Sequence, residues 1–275
     1  MNRILFLLIF MAFGFSASAA LTKRIITLSS ALTETVDALG YGPQIVAVDV
    51  TSLYPAYAAK LPRVSKDRST SAEGIISFSP DLVLAPENMI SKAVEYQLKS
   101  AGIKLMVIKQ EYTVKGTLNF IRQVAAALDN AAKGEELAKQ TAASVAEAQK
   151  AVGKNPKSPK VLFLYARGTG VMMVAGKETS IDGIIRLAGG RNAAQGFSKY
   201  KPYTTEALVS ANPDVILLFD FGLKSLGGTS SILKMPGVML TNAGKNKKIV
   251  EMDGDLLAGF TVRLGEAMKQ LNAKW

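Results

Sequence analysis

The sequence contains no cysteine and no histidine among its 275 residues. Without cysteine there is no disulfide framework, no thiolate metal site and no lipid-modified cysteine that would tether the chain to a membrane. Without histidine, Ser-His and Cys-His catalysis and every histidine-based metal centre are excluded. These two absences weaken any interpretation of the chain as an enzyme.

Recognisable catalytic and phosphate-binding motifs are also missing. No Walker loop or G-x-G-x-x-G motif follows a predicted strand, and the short run Arg167–Gly170 (RGTG) does not qualify. Paired carboxylates suited to acid–base catalysis are not evident. We therefore predict that the chain is not an enzyme.

Long apolar runs are absent except at the amino terminus. Met1–Ala20 combines a basic residue at Arg3, an apolar run over Ile4–Phe15 and small residues at a cleavage point near Ala19-Ala20. This pattern predicts a secretory signal peptide, because the apolar run is shorter than the ~20 residues that a membrane span needs. With no cysteine to anchor it, the mature protein is predicted to be free in a Gram-negative periplasm.

Charge is present in excess of one sign. The formal net charge of +11 comes from 33 basic and 22 acidic residues. A basic surface aids solubility and favours an anionic ligand. The lysines are scattered, no recognition motif appears and the chain is exported, so we predict no nucleic-acid partner.

The chain is organised around a segment that occurs twice. Glu73–Ala85 (EGIISFSPDLVLA) and Glu206–Leu218 (EALVSANPDVILL) share a glutamate, a serine and a Pro-Asp pair in register. In both copies a glutamate opens a short helix, Pro-Asp ends it, and an aliphatic run predicts a strand buried on both faces. The repeat predicts two similar lobes, each built around a parallel sheet.

Strands and helices alternate on both sides of one long polar helix. Ala132–Val152 is rich in Ala, Glu, Lys and Gln, which predicts a helix about 30 Å long that bridges two lobes. The fold class is therefore α/β, with two doubly wound βα lobes joined by a single long α-helix. The predicted divisions of the chain are a signal peptide over 1–20, an N-terminal lobe over 21–129, the bridging helix over 130–153 and a C-terminal lobe over 154–275.

Ligands of open parallel sheets bind beyond the carboxyl ends of the strands. This rule places the loops Thr51–Arg68 and Ala166–Met173 on opposite sides of a cleft between the lobes. Glu73 and Glu206 occupy equivalent points of the two lobes. Either one is stabilised by its helix dipole, but the pair suits docking on a symmetric partner that carries arginines.

The sequence resembles the rigid-helix class (class III) of periplasmic substrate-binding proteins of ABC importers, which carry haem, ferric siderophores or cobalamin. The segments SAEGIISFSPDLVLA, VMMVAG, LAGGRNAA, YKPYTTEALVSANPDVILL and AGFTVRLGEA resemble the haem-binding members over nearly all of the mature chain. The resemblance implies a monomer that binds haem between its lobes as a transported ligand, not as a catalytic cofactor. It also implies docking through Glu73 and Glu206 on an inner-membrane permease dimer.

The chain departs from the haem-binding pattern at one important position. Those members have an iron-coordinating tyrosine just before the SAEG motif, two residues ahead of an arginine, whereas here Lys66 stands at the tyrosine position and Arg68 at the arginine position. A lysine amine binds metal only when neutral, which its reference pKa of ~10.4 disfavours. Lys66 is a candidate partner for a haem propionate, and the alternative is that Lys66 is itself a solvated loop lysine.

Phenols are the first candidates for an iron ligand, because ferric iron is hard and prefers a phenolate oxygen, and Met172 and Met173 offer a softer option. Tyr54 and Tyr57 precede Lys66, and further tyrosines lie on the opposite side of the cleft at Tyr165, Tyr200 and Tyr203. We favour Tyr54 and Tyr203 as axial candidates. Arg167 follows a predicted strand, and its planar fork suits it to clamp a carboxylate.

Two alternatives remain open. The same class of protein can carry a ferric siderophore or cobalamin, and the missing tyrosine motivates this reading. A periplasmic enzyme or bare scaffold on the same fold is the third possibility, because a fold alone does not set function.

Overall fold

The structure is a computed structural model that describes residues 23–67, 69–155 and 157–275. The predicted signal peptide and Arg68 lie outside these residues. The described chain forms two β-sheets, one before and one after a long helix. No helix in the described ranges is both long enough and apolar enough to cross a membrane.

The first sheet is four-stranded and wholly parallel, in the order β2-β1-β3-β4. Its strands are β1 (Ile25–Thr27), β2 (Ile45–Val48), β3 (Leu82–Pro86) and β4 (Lys104–Ile108). Its helices are α1 (Ser30–Val36), α2 (Ala72–Ile76), α3 (Lys92–Ser100) and α4 (Val114–Ala127). Strand β3 is buried on both faces, with Leu82 and Leu84 in one apolar cluster and Val83 and Ala85 in another, as its unbroken aliphatic run predicts.

Helix α5 (Ala131–Gly153) connects the two sheets in sequence and in space. Its N-cap is Asn130, whose side chain accepts a hydrogen bond from the backbone of Lys133. The helix packs against α4 of the first lobe and against α12 (Leu264–Asn272) of the second lobe. It therefore contacts both lobes along its length, as the sequence predicts for a bridging helix.

The second sheet is mixed, which differs from the parallel sheet expected from the repeat. Its order is β10-β9-β5-β6-β8, with β7 also paired to β5. The strands are β5 (Lys160–Ala166), β6 (Met172–Ala175), β7 (Arg191–Asn192), β8 (Tyr200–Pro202), β9 (Val215–Phe219) and β10 (Ile249–Met252). Strand β6 runs antiparallel to both of its neighbours, β5 and β8, and β8 falls in a segment expected to be a loop because its exposed residues carry no apolar pattern.

The helices of the second lobe are mostly short. They are α6 (Ser180–Leu187), α7 (Thr205–Ala211), α8 (Asp220–Ser225), α9 (Thr229–Leu233), α10 (Asn242–Lys245) and α11 (Gly254–Ala258), followed by α12. Residues 232–243 are predicted to be helical with a break at Pro236-Gly237, and the structure has such a break: α9 ends at Leu233, and Gly237 adopts a φ of +78° before a 3-10 turn at Val238–Leu240. This turn packs on α7, where an added Cβ at Gly237 would meet the side chain of Thr205 at 2.7 Å.

The repeated aspartate has the same structural role in both lobes. Asp81 accepts a hydrogen bond from the backbone N–H of Arg24 at 2.7 Å, just before β1. Asp214 accepts one from the backbone N–H of Lys160 at 2.8 Å, at the start of β5. In both cases the backbone N–H of the aspartate donates back to the same residue's carbonyl. The aspartate of each copy thus fixes where β1 begins beside β3 and where β5 begins beside β9.

Candidate ligand-binding site

A cavity of about 1060 Å³ lies between the two lobes. Its walls are formed by residues that follow the carboxyl ends of six strands, β1, β2 and β4 of the first lobe and β5, β9 and β10 of the second. The first lobe contributes Ser29, Ser30, Ala31, Val50, Thr51, Leu53, Lys66, Asp67, Gln110 and Tyr112, and the second contributes Tyr165, Arg167, Phe219, Phe221, Ser225, Gly254, Asp255, Ala258 and Gly259. The location is the one that open parallel sheets use for ligands.

An aromatic wall forms the second lobe's side of the cavity. Phe219 and Phe221 lie 5.3 Å apart at a tilted angle, and the ring of Tyr165 meets each of them edge-on at about 6 Å between centroids. Tyr165 is the penultimate residue of β5, and Phe219 is the last residue of the neighbouring β9. This wall offers apolar area to a flat, unsaturated ligand.

Tyr165 and Arg167 form a hydrogen-bonded pair on this wall. Nε of Arg167 donates to the phenolic oxygen of Tyr165 at 2.6 Å, and the guanidinium carbon lies 5.1 Å from the centroid of the Phe221 ring. Gly168, with a φ of +63°, turns the chain directly after Arg167, and its N–H donates to Ser225 Oγ. Among the described residues, the terminal nitrogens of Arg167 have no ion-pair partner, so they are available to a carboxylate.

Opposite this wall, a buried polar network anchors the loop that carries Lys66. Asp49, 4% exposed, accepts hydrogen bonds from Thr51 and from Ser52, and Ser52 in turn contacts Thr33 of α1 at 2.8 Å. Arg63 donates to the backbone carbonyls of Asp49 and Ser52. Because each buried group is satisfied, the network holds both ends of the loop in one arrangement.

Lys66 lines the cavity at the end of this loop and is solvent-exposed. Its neighbour Asp67 turns the chain by accepting hydrogen bonds from the side chain and backbone of Ser69, and these bonds lower the pKa of Asp67. Arg68, the other cation predicted here, lies outside the described residues. Lys66 and Arg167 therefore present positive charge from opposite lobes to the same cavity.

Asp255 places one carboxyl on the cavity wall, in the first turn of α11. Desolvation by burial, with help from the Asp253 and Glu34 carboxylates, raises the pKa of Asp255 to about 6, although Ser30 and Arg263 act in the opposite direction. The cavity thus has cationic groups on two sides and a weakly acidic group on another.

The two tyrosines favoured from sequence as iron ligands do not line this cavity. The ring of Tyr54 covers the guanidinium of Arg263, whose central carbon lies 3.5 Å from the ring centroid. Tyr203 packs beside the second lobe's outer core, where its hydroxyl lies 3.5 Å from the carbonyl of Pro236. Burial raises the pKa of Tyr203, so its phenol is held neutral.

Other tyrosines near the site are also less suited than Tyr165 to bind a metal. Tyr57 donates to Asp37 at 2.7 Å, and burial together with that carboxylate raises the pKa of the Tyr57 phenol far above its usual range. Partial desolvation and the neighbouring phenols of Tyr112 and Tyr165 raise the pKa of Tyr200 to about 12. Tyr165 is the phenol that combines a place on the cavity wall with a cationic hydrogen-bond donor.

Glu73 and Glu206 lie outside the cavity, at the second position of α2 and of α7. The N-caps are equivalent too, since Ser71 and Thr204 each accept a hydrogen bond from the third residue of their helix. Both glutamates are exposed, and neither forms an ion pair with a described residue. Within the same residues, no group of three or more acidic side chains is placed to hold a metal ion.

Sequence reasoning missed several residues of this site. Phe219, Phe221 and Asp255 were not singled out, although each closely follows a strand that the pattern predicts. The available signal was their position just beyond strand ends, which the rule for open sheets already marks.

The fold finds close counterparts among known proteins. Residues 25–256 match the family described as "Periplasmic binding protein". The apo structure of the periplasmic heme-binding protein RhuT from Roseiflexus sp. RS-1 superposes with a TM-score of 0.87 at 38% identity, covering 92% of this chain and 97% of that one.

Two curated relatives are similar over most of their length. The ABC transporter substrate-binding lipoprotein YvrC of Bacillus subtilis (strain 168) is 29% identical over 252 residues, 90% of this chain and 78% of the relative. The vitamin B12-binding protein of Vibrio vulnificus (strain CMCP6) is 29% identical over 262 residues, 94% of this chain and 92% of the relative.

These similarities confirm the predicted two-lobed α/β fold and the resemblance to haem-binding members of its class. They also confirm the predicted type of protein, a substrate-binding protein of ABC import that is not an enzyme and that acts outside the cytoplasmic membrane. The chain belongs to the periplasmic binding protein family.

Proposed function

We propose that this protein binds haem in the cavity between its lobes and delivers it to an inner-membrane ABC permease. The observation that carries the proposal is the Tyr165–Arg167 pair on an aromatic wall. A phenolate is a known axial ligand of haem iron, and a phenol oxygen that already accepts a hydrogen bond from a guanidinium keeps a further lone pair for the metal. The 38% identity to a heme-binding protein supports this choice of ligand.

The cavity suits haem in size and in the distribution of charge. Pockets for small molecules commonly enclose about 300–1,000 Å³, so this one, at about 1060 Å³, lies slightly above the range. Phe219 and Phe221 supply area for the macrocycle, while Lys66 and Arg167 supply cations for its propionates. Arg68, two residues after Lys66 in the sequence, is proposed as a further cation for the propionates.

Titration of the purified protein with hemin tests the proposal. Binding through Tyr165 is expected to shift the Soret band and to give the charge-transfer absorption of a ferric phenolate, and Tyr165→Phe is expected to lose the latter. A spectrum identical to that of free hemin at stoichiometric protein would refute haem binding. Binding with an unchanged spectrum in Tyr165→Phe would refute the assignment of the ligand.

Cobalamin is the second candidate, because the vitamin B12-binding protein is similar over nearly the whole chain. The amide side chains of a corrin donate hydrogen bonds, which the side-chain oxygens of Asp255 and Gln110 can accept. Thermal shifts with hemin, cyanocobalamin and a ferric siderophore separate the candidates, since a ligand at 100 times its Kd adds ~2.7 kcal/mol to the free energy of unfolding.

Delivery is proposed to follow from the matched pair of exposed glutamates. Glu73 and Glu206 stand at equivalent capped helix starts in the two lobes, so a permease dimer with two symmetric arginines can bind both at once. The protein is proposed to act as a periplasmic monomer after loss of Met1–Ala20. The proposed divisions of the mature chain are the lobes at 21–129 and 154–275, with the bridging helix between them.

A further inference from the structure

The segment Gly259–Arg263, which connects α11 to α12, belongs to the second lobe by sequence and packs Phe260 into that lobe's core, but it also contacts the first lobe. It lies in AGFTVRLGEA, a motif of which Ala258 and Gly259 line the cavity while the residues after them do not. Four of its residues contact the first lobe, and we call Gly259, Phe260, Thr261 and Arg263 the inter-lobe strap.

The first half of the strap is bound by the segment that follows β4. The carbonyl of Gly259 accepts a hydrogen bond from Gln110 Nε2 at 2.7 Å. The ring of Phe260, 2% exposed, meets the ring of Tyr112 edge-on with 5.5 Å between centroids. Phe260 has a φ of +48°, left-handed backbone that a bulky residue rarely adopts. Its position is therefore imposed by the surrounding contacts.

The second half of the strap is bound by a buried carboxylate of α1. Glu34 is 2% exposed and accepts from Arg263 through both oxygens, at 3.0 Å from Nε and 2.7 Å from Nη2. The hydroxyl of Thr261 also donates to Glu34. A paired fork of this kind is strongly directional, and burial removes the water that would otherwise compete for it. The two partners are 229 residues apart in sequence, so the pair joins the lobes.

The strap is connected to the ligand cavity on both sides. Gly259 lines the cavity, as do Ser29, Ser30 and Ala31 at the start of the helix that carries Glu34. On the far side of Arg263, the ring of Tyr54 stacks on the guanidinium at 3.5 Å. Tyr54 belongs to the loop that carries Lys66, so this loop is tied to the second lobe through Arg263.

We propose that the inter-lobe strap holds the lobes at a fixed spacing and, through Tyr54, fixes the loop that carries Lys66, so that the cavity is formed before the ligand arrives. Glu34 and Arg263 are then positioning residues for ligand binding. The bridging helix α5 packs on α4 of the first lobe and on α12 of the second, and the strap supplies a further attachment that resists rotation of the lobes about this helix.

The first test measures the spacing in the ligand-free protein. Because the chain has no cysteine, Lys99→Cys in α3 and Lys245→Cys in α10 provide two exposed sites for spin labels, one in each lobe. Wild type is expected to give one narrow distance distribution. Glu34→Gln and Arg263→Lys each remove the charged fork with little change in size, and both are expected to broaden the distribution.

Arg122→Lys is the matched control. Arg122 makes the same two-pronged contact with Glu135, at 2.7 and 3.2 Å, but this pair lies on the exposed surface between α4 and α5. The control is expected to keep the narrow distribution. An unchanged distribution in both strap variants, or equal broadening in the control, would overturn the proposal.

The second test measures hemin dissociation and rests on the proposed function. Each strap variant is expected to release hemin about tenfold faster than wild type, the effect typical of mutations in a coupled network. Broadened distances with an unchanged dissociation rate would overturn the positioning role. If wild type binds no hemin, the proposed function fails by itself, and cyanocobalamin replaces hemin in this measurement.

Tyr54→Leu keeps the proposal testable if the charge variants do not fold. It removes only the exposed ring stacked on Arg263. We expect faster hydrogen exchange over residues 51–67 and faster hemin release, with an unchanged inter-lobe distance. Wild-type exchange and release in Tyr54→Leu would refute the connection from strap to loop.

Discussion

The phenolic oxygen of Tyr165 accepts a hydrogen bond from Nε of Arg167, 2.6 Å away, and both side chains face the cavity between the lobes. Tyr165 and Arg167 are two residues apart at the carboxyl end of β5, so their side chains lie on the same face of the sheet. One donor is thereby held against the phenol by the backbone itself. This geometry suits a phenol that binds ferric iron and a guanidinium that keeps its remaining donors for a carboxylate.

Replacement of the phenol should reveal its role in the spectrum. Tyr165→Phe is expected to keep the fold, lose the charge-transfer absorption and weaken hemin binding by at least about tenfold, which corresponds to ~1.4 kcal/mol. Tyr203→Phe, whose hydroxyl lies at Pro236 and away from the cavity, is the control and should match wild type. The assignment of Tyr165 as the iron ligand would be wrong if Tyr165→Phe kept the wild-type spectrum, or if Tyr203→Phe lost the charge-transfer absorption.

A second pair of variants separates stacking from ligation at Tyr54. Tyr54→Phe keeps the aromatic face over Arg263 and removes only the hydroxyl, so hemin spectra and dissociation should remain those of wild type. Tyr54→Leu removes the face as well and should speed dissociation. Loss of the iron-phenolate absorption in Tyr54→Phe would instead show that Tyr54 binds the metal.

Burial predicts very different costs for two ion pairs of similar geometry. Arg263→Ala leaves the carboxylate of Glu34, 2% exposed, without its cation, and should lower the free energy of unfolding by ~3–5 kcal/mol. Arg122→Ala breaks a pair whose side chains are 43% and 45% exposed, and should cost about 0–1 kcal/mol. Urea denaturation at neutral pH measures both values. Equal losses would contradict the buried character of the Glu34 pair.

The stability of the protein should depend on pH through Asp255. Its pKa is about 6 in the folded chain against an ordinary value of 3.8, so the folded chain binds more protons than the unfolded chain between these limits. The contribution of Asp255 to the free energy of unfolding is therefore fully present below pH 4 and is lost as the pH rises through 6.

Asp255→Asn should remove this component, because the amide does not ionise. The difference in melting temperature between the variant and wild type is expected to move in favour of the variant from pH 4 to pH 7. The charged groups that act on the pKa of Asp255 are Asp253, Glu34 and Arg263, so Asp253→Asn serves as the comparison for a neighbouring charge. A constant difference across this pH range would show that Asp255 keeps an ordinary pKa.

Transport should depend on the two exposed glutamates while ligand binding should not. Glu73→Lys combined with Glu206→Lys is expected to leave hemin affinity unchanged and to abolish import, because both docking charges are reversed. Glu136→Lys combined with Glu251→Lys, both exposed positions elsewhere, changes the net charge by the same amount and is the control. Wild-type import of haem by the first double variant would refute docking through these residues.

The sequence by itself determined the two-lobed α/β architecture and its bridging helix, because the signals for these are local. The two copies of the Glu-to-Pro-Asp segment marked a helix and a buried strand in each lobe, and the repeated aspartate proved to bind the backbone of the neighbouring strand in both. The polar, glycine-poor run of α5 marked the bridging helix. The rule that ligands bind beyond strand ends correctly brought Lys66 and Arg167 to one cavity.

Only the tertiary structure decided which side chains meet. Tyr165, Tyr54 and Tyr203 cannot be told apart as phenols in the sequence. In the structure Tyr165 lies on the cavity wall beside Arg167, whereas the ring of Tyr54 stacks on Arg263 and the hydroxyl of Tyr203 lies at the Pro236 carbonyl. Strand β6 and its antiparallel partner β8 have only four and three residues, which is too short for a periodic pattern to mark them. The Glu34–Arg263 pair spans 229 residues, and no local periodicity encodes a contact that exists only after both lobes have folded.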